Sequence, residues 1–206
     1  MAIKFLDAKM AVEEIIAKYN LLAPIKVFDL GDAMGINWDV LNSASLLAKI
    51  VENGDWNQVK NVNILDVLGY LSVKDNTFFI NDDNNPMVRR RFTFAHELGH
   101  YILDQPLTRS LFRVVTPKQL DTVDEATSLG ASECRANYFA EMLLMPDRDI
   151  FTRLILCGNC TTKDEVFSLL ASLFVVSAET AKRRVHTFMS ENSVIWESFR
   201  VSHLFE

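Results

Sequence analysis

The sequence has little of what secreted, membrane or nucleic-acid-wrapping proteins depend on. It has three cysteines, Cys134, Cys157 and Cys160. That fits a reducing compartment better than a disulfide scaffold. No window approaches the unbroken apolar run of a membrane span. The opening stretch, "MAIKFLDAKMAVEEII", scatters charges among its apolar residues and lacks the continuous core of a signal peptide. The expected location is therefore cytoplasmic, with no membrane partner. There is no excess of positive charge either. The formal net charge is −6, which argues against nucleic acid as the main partner while leaving a local basic patch open. Repeats and low-complexity tracts are absent. What remains is a 206-residue chain, 49% apolar and 23% charged. That suits one globular domain with a sizeable core, or one core with a small appendage.

The pattern along the chain predicts a mainly helical α+β protein. A helix runs from Asp7 to about Leu22, and "IKVFDLGDAMG" forms a short one closed by Gly35. "INWDV" reads as a strand, and "SASLLAKIVENG" as a helix stopped by Gly54. In "LGYLSVKDNTFFIN" two β-rich runs flank Lys74-Asp75-Asn76, a hairpin signal. The expected sheet is small, antiparallel and three-stranded. Residues 104–130 read as irregular, with a short helix near "PKQLDTVDEA". "ASECRANYFAEMLLMP" is a helix ended by Pro146, and another starts at Asp147. "CGNC", Cys157 to Cys160, has no second cysteine pair and no surrounding βαβ pattern. It reads as a helix end closed by Gly158 with two incidental thiols. Beyond it, Thr162 and Glu165 form a capping box, opening two short helices joined by a tight turn.

Histidine is scarce, with four in the chain, yet two stand four residues apart in "RRRFTFAHELGHYILD". Residues four apart share a helix face, so His96 and His100 can reach one metal ion. Glu97 lies beside them, placed to act as a base on a metal-bound water, whose pKa zinc lowers to about 7. Phe94, Ala95, Leu98 and Ile102 recur at helical spacing and form the expected buried stripe, leaving the histidines towards a cleft. Gly99 costs a helix roughly 1 kcal/mol against alanine, which makes sense if another backbone approaches closely. The alternative is a core helix with two satisfied histidines and a solvated glutamate.

Two histidines do not hold a catalytic zinc, which takes three protein ligands and a water. The metzincin extension needs glycine and histidine where Leu103 and Pro106 stand, so it is excluded. Asp104 follows His100 on the same face, but three such positions span about 12 Å of straight helix and cannot converge on one ion. The third ligand must come from another helix. Glu133 is the leading candidate, with Asn137 four residues on to orient a ligand histidine and Ala136 small enough to let two helices approach. A solvated face, with Arg135 and Glu141 as similar neighbours, is the alternative.

These two blocks, "FFINDDNNPMVRRRFTFAHELGHYILD" and "ECRANYFAEMLLMP", each resemble the ImmA/IrrE family of bacterial and phage metallopeptidases nearly residue for residue, and the resemblance spans roughly Phe78 to Pro146. The resemblance implies a gluzincin-like fold, with His96, His100 and Glu133 as metal ligands and Glu97 as general base. It implies zinc, although manganese or iron suits the same donors. It also implies a substrate: a partner XRE-type helix-turn-helix repressor, whose cleavage relieves repression of a phage, mobile-element or stress regulon. Relatives often carry histidine where this chain has Asp104, which puts the role of that position in doubt.

The expected organisation is a zincin-like domain over 1–156 and a helical, helix-turn-helix-like subdomain over 157–206. In the latter, Phe167, Leu170, Ala171, Phe174, Val176, Ala181 and Val185 form the core. Lys182-Arg183-Arg184 is either a solvated run or a phosphate contact. Thr77, Phe78, Phe79, Ile80 and Asn81 form a strand beside the cleft, read either as a partner for an extended substrate or as an ordinary half-buried strand. Tyr138 and His186 are the oxyanion-stabilising candidates, because both can donate. The competing function is non-catalytic: a toxin–antitoxin or DNA-binding regulatory partner that retains a metal site.

Overall fold

The computed structural model describes residues 5–83, 85–107, 109–114, 128–199 and 201–205. The expected short helix near "PKQLDTVDEA" lies outside them. In chain order the elements are α1 (Leu6–Lys18), α2 (Val27–Ala33), β1 (Asn37–Leu41), α3 (Ser43–Glu52), α4 (Trp56–Val59), β2 (Val67–Ser72), β3 (Thr77–Asn81), α5 (Met87–Leu103) and β4 (Leu111–Val114). Then follow α6 (Ser128–Leu144), α7 (Asp147–Leu156), α8 (Lys163–Phe174), α9 (Ala178–Glu191) and α10 (Ser193–Trp196). They form two compact units: Val27–Ala140, and the chain before Val27 together with that from Glu141 on. No helix among the described residues is long and apolar enough to cross a membrane.

The Val27–Ala140 unit is built on one sheet, which corrects the expectation of three antiparallel strands. It has four strands in the order β1-β3-β2-β4 and is mixed. β1 runs parallel to β3, in register from Asn37 opposite Thr77 to Leu41 opposite Asn81. β2 is antiparallel to both β3 and β4. β1 can lie parallel to β3 because the segment between them, α3, α4 and β2, is long enough for the crossover that a parallel pair requires.

That face buries Leu46 and Ile50 of α3 against Val67, Tyr70 and Phe79, with Phe112 and Val114 of β4 packed alongside. The opposite face receives α5, with the Phe94 ring 5.5 Å from Phe78, 5.0 Å from Phe28 and 5.9 Å from Trp38. Both faces being covered, β2 is buried along its whole length, which removes the alternation that a half-exposed strand shows. At the sheet end Asn81 is fully buried. Its amide donates to the Val67 carbonyl at 2.8 Å and to Ser43 Oγ at 3.1 Å.

The other unit holds α1, the end of α6, and α7 to α10. α1 starts after Phe5, one residue before the expected Asp7. It stops at Lys18 rather than Leu22 because Asn20 takes a left-handed conformation, and Leu21 N–H closes onto the Ile16 carbonyl. α7 ends in a 3-10 turn over Cys157–Asn159, so Gly158 lies inside that turn and does not close the helix in a left-handed conformation. Burial pushes the Cys157 thiol up to about 12, with Cys160 adding to the shift, which marks an inert core sulfur. Thr162 caps α8, but Glu165 reaches back to the Thr161 N–H rather than to Thr162.

The seven apolar residues expected in the core of α8 and α9 are all buried. Arg184 is buried with them, donating to the Met145 carbonyl and pairing with Asp147. Lys9 also reaches Asp147, at 2.6 Å, and Glu191, at 3.4 Å. Burial alone would raise the Asp147 carboxyl; Arg184 and Lys9 outweigh it and hold the group below its ordinary value. A depressed carboxyl stabilises the fold above its unfolded value of about 3.9, and that contribution fades as pH falls through the lower folded value. Asp147→Asn leaves Arg184 buried without its counter-charge. It should cost roughly 3 kcal/mol at pH 7. Denaturant unfolding of both chains at pH 7 and pH 3 checks this: the gap should shrink in acid.

Candidate metal centre

α5 is buried on every side from Arg91 to His100. His96, Glu97 and His100 are each 1% exposed, whereas Ile102, assigned to the stripe, is only half-buried. The sheet lies on one side of the helix and α6 on another. At Gly99 the approach of α6 is direct: a Cβ there would stand 3.2 Å from Ala136 Cα and 3.1 Å from the Phe139 ring. The small residues at 99 and 136 therefore set how closely α5 and α6 pack. At Gly69 of β2 a Cβ would come within 2.5 Å of Thr93 Cγ2 and 3.5 Å of Glu97 Oε1. Glycine there lets the Glu97 turn of α5 lie against the sheet.

The close packing brings Glu133 of α6 to the two histidines. His96 Nε2 and His100 Nε2 are 3.1 Å apart. One Glu133 carboxylate oxygen lies 3.3 Å from His96 Nε2 and the other 3.2 Å from His100 Nε2. One ligand atom from each of the three residues lies within 4.8 Å of the other two, close enough for a single ion with bonds of about 2.0–2.1 Å to draw them together. Among the described residues this is the one group of three or more His, Cys, Asp or Glu donors close enough to hold a metal.

The protonation pattern points the same way. Burial, reinforced by the Arg113 charge, pushes His96 down to about 3 and keeps it neutral. Burial also lowers His100, but hydrogen bonds with Asp104 and Glu133 outweigh it and lift the ring to about 9. Burial raises Glu133, and its bonds with both imidazoles more than reverse this, so the carboxylate stays ionised. Facing imidazole nitrogen and carboxylate are groups that bind a proton or a divalent cation in competition.

Each imidazole is held from behind by its Nδ1. For His96 the partner is Asn137 Oδ1 at 3.0 Å, on the α6 face that also carries Glu133. For His100 it is Asp104 Oδ2 at 2.6 Å. Asp104 in turn accepts from Ser132 Oγ at 2.6 Å and from Arg135. Asp104 therefore orients His100, a role that sequence reasoning missed although the i, i+4 spacing was the signal. Arg113, also missed, projects from β4 to His96 Nδ1 at 2.7 Å and to Asn137 Oδ1 at 3.0 Å, over the Phe92 ring. No sequence pattern connects position 113 to either helix. Asp104→Asn should weaken zinc binding about 10–100-fold with the helix content intact. Chelator competition, with circular dichroism as the control, measures both.

Glu97 stands apart from the donors just described. Both carboxylate oxygens are buried without a hydrogen-bond partner among the described residues. Burial pushes it up to about 7, with the charges of His100 and Arg113 opposing the shift and that of Glu133 adding to it. A carboxylate buried without a protein hydrogen-bond partner beside three metal-type donors can serve as a base.

Tyr138 is buried on α6, about 100° round from the Asn137 face. His186 is exposed on α9, its ring against Phe167 and Phe205. β3, Thr77–Asn81, is paired on both sides, so its backbone cannot take up a further strand, and the substrate-pairing reading of those five residues is withdrawn.

The family model of the IrrE N-terminal-like domain, a peptidase domain, matches residues 65–186, more than half of the chain. No curated protein matches the sequence.

Proposed function

Because the chain belongs to the ImmA/IrrE family of metallopeptidases, we propose that it is a zinc-dependent endopeptidase with His96, His100 and Glu133 as ligands and Glu97 as general base. The observation that carries this reading is the convergence of three ligand-type donors beside a buried, unpaired carboxylate. A purely structural site needs no such base. Manganese or iron would suit the same donors, and zinc is the proposal because the spacing and the His/His/Glu set match its tetrahedral preference.

His96, His100 and Glu133 would hold a divalent cation there, which would supply Lewis acidity for the peptide carbonyl and for a water molecule. Glu97 then takes the proton from the attacking water and delivers it to the leaving amine. Asn137 and Asp104 keep both imidazoles oriented, and burial of Glu97 raises the basicity of its carboxylate. The substrate backbone is best placed on β4, an end strand whose pairing among the described residues is with β2 alone and whose Arg113 touches His96.

The proposed substrate is an XRE-type repressor, whose cleavage would relieve repression of a phage, mobile-element or stress regulon. The α8–α9 pair is read as a helix-turn-helix-like packing element. Burial of Arg184 and the bond from Arg183 Nε to Glu141, 2.7 Å, support packing over phosphate contact. The test is incubation of the zinc-loaded chain with the XRE-type product of an adjacent gene. One discrete cut, absent when Glu97 is replaced by Gln, supports the reading. An intact repressor, or a cut that ignores Glu97, overturns it.

A further inference from the structure

The two imidazoles of the centre are not equivalent. His100 Nδ1 faces Asp104 Oδ2 at 2.6 Å and Ser132 Oγ at 3.3 Å. Asp104 accepts the Ser132 hydroxyl, so acceptors surround this nitrogen. His100 Nδ1 therefore carries a proton, and in the neutral ring Nε2 offers its lone pair. His96 Nδ1 faces one partner of each kind. Asn137 Oδ1, at 3.0 Å, is an acceptor, and Arg113 Nη1, at 2.7 Å, is a donor only. A neutral imidazole can satisfy one of them at that nitrogen, not both. If Nδ1 accepts from Arg113, the ring proton sits on Nε2, directed at Glu133, and that nitrogen cannot coordinate. If Nδ1 donates to Asn137, Nε2 is free.

We propose that Arg113 is a positioning residue that opposes cation loading: it holds His96 in the non-coordinating tautomer, and loading requires its guanidinium to give up Nδ1 while keeping Asn137 Oδ1. The inference rests on the metal-centre reading above and deepens it. Two features of the fold make the contact. Arg113 stands opposite Gly69 in the β2–β4 register, and Gly69 has no side chain to block its path towards α5. The Phe92 ring, 4.7 Å from the guanidinium carbon, supports it from the same helix as His96. The guanidinium also places a permanent positive charge near where a dication would sit, so charge and tautomer oppose loading in the same sense.

The sign of the effect separates this role from a merely supporting one. If Arg113 only steadied Asn137, removing it would weaken binding. The inference requires the reverse. Zinc affinity is measured on the full chain by competition with a chromophoric chelator, for wild type, Arg113→Met and Arg113→Lys. The Met variant should bind about tenfold tighter or more, within the range over which groups behind a ligand tune a site, and Lys should stay near wild type. Histidine 15N correlation spectra of the chelator-treated full chain supply a second readout. His96 should carry its proton on Nε2 in wild type and on Nδ1 in Arg113→Met, while His100 is unchanged. An Arg113→Met chain that binds no tighter, or a wild-type His96 already protonated on Nδ1, overturns the inference alone. A wild-type chain that takes up no cation overturns the metal-centre reading and this inference with it.

Discussion

Glu97→Gln should retain zinc, lose about two to four orders of magnitude in cleavage rate, and become more stable. The three outcomes share one cause. Both Glu97 oxygens are buried and unpaired, which is costly for a carboxylate and less so for an amide. The ionised form is disfavoured enough to push the group up to about 7. The sign of the pH effect follows. A carboxyl raised in the folded state leaves stability intact below its unfolded value of about 4.3, and stability declines as pH rises from there towards 7. The advantage of the Gln variant should therefore be small at pH 5 and widest at pH 8, measured by thermal unfolding in chelator. Zinc content of the loaded variant should equal that of wild type, because Glu97 is not among the converging donors. A Gln variant that cleaves at the wild-type rate would sink the general-base assignment.

Glu133→Ala should abolish zinc-dependent stabilisation and cleavage together. A ligand bound only by the folded state stabilises it by about 2.7 kcal/mol at a hundred times its Kd, which for a chain of this length is several degrees in Tm. Wild type should show that shift on adding zinc, and the Ala variant should show none at the same concentration. His96 and His100 remain in that variant, so the comparison isolates the contribution of α6. Glu133 is partly exposed, with 28% of its side chain accessible, so truncation leaves no sealed cavity and the metal-free variant should fold like wild type. If the variant retains the full shift, the third ligand is some other residue.

Periodicity and punctuation made much of the fold legible. "INWDV", the hairpin about Asn76, the helix stopped by Gly54 and the helices after Pro146 and Thr162 all carry local signals, a cap, a proline or a left-handed turn, and the structure has those elements. The sheet order was not legible. A parallel β1–β3 pairing is a long-range choice set by where α3 packs, and no residue in either strand records it. β4 is four residues long, too short for a period-2 pattern to stand out beside a polar tract, although Phe112 and Val114 do alternate onto the core. In the centre, the His/Glu/His turn and the Glu133–Asn137 pair were visible as i, i+4 spacings. Asp104 had the same spacing from His100, but distance ruled it out as a ligand and its use behind the ring went unconsidered. Arg113 reaches the centre through strand pairing alone, and only coordinates could reveal it.

The central claim is that α5 cannot make this centre alone and that α6 completes it through Glu133. The most direct measurement is anomalous diffraction at the zinc edge from crystals of the loaded chain. The account predicts one strong peak within bonding distance of His96 Nε2, His100 Nε2 and the Glu133 carboxylate, with Glu97 close by but not coordinating. A peak that leaves Glu133 unbound, or one that lies instead at Cys157 and Cys160, would contradict it.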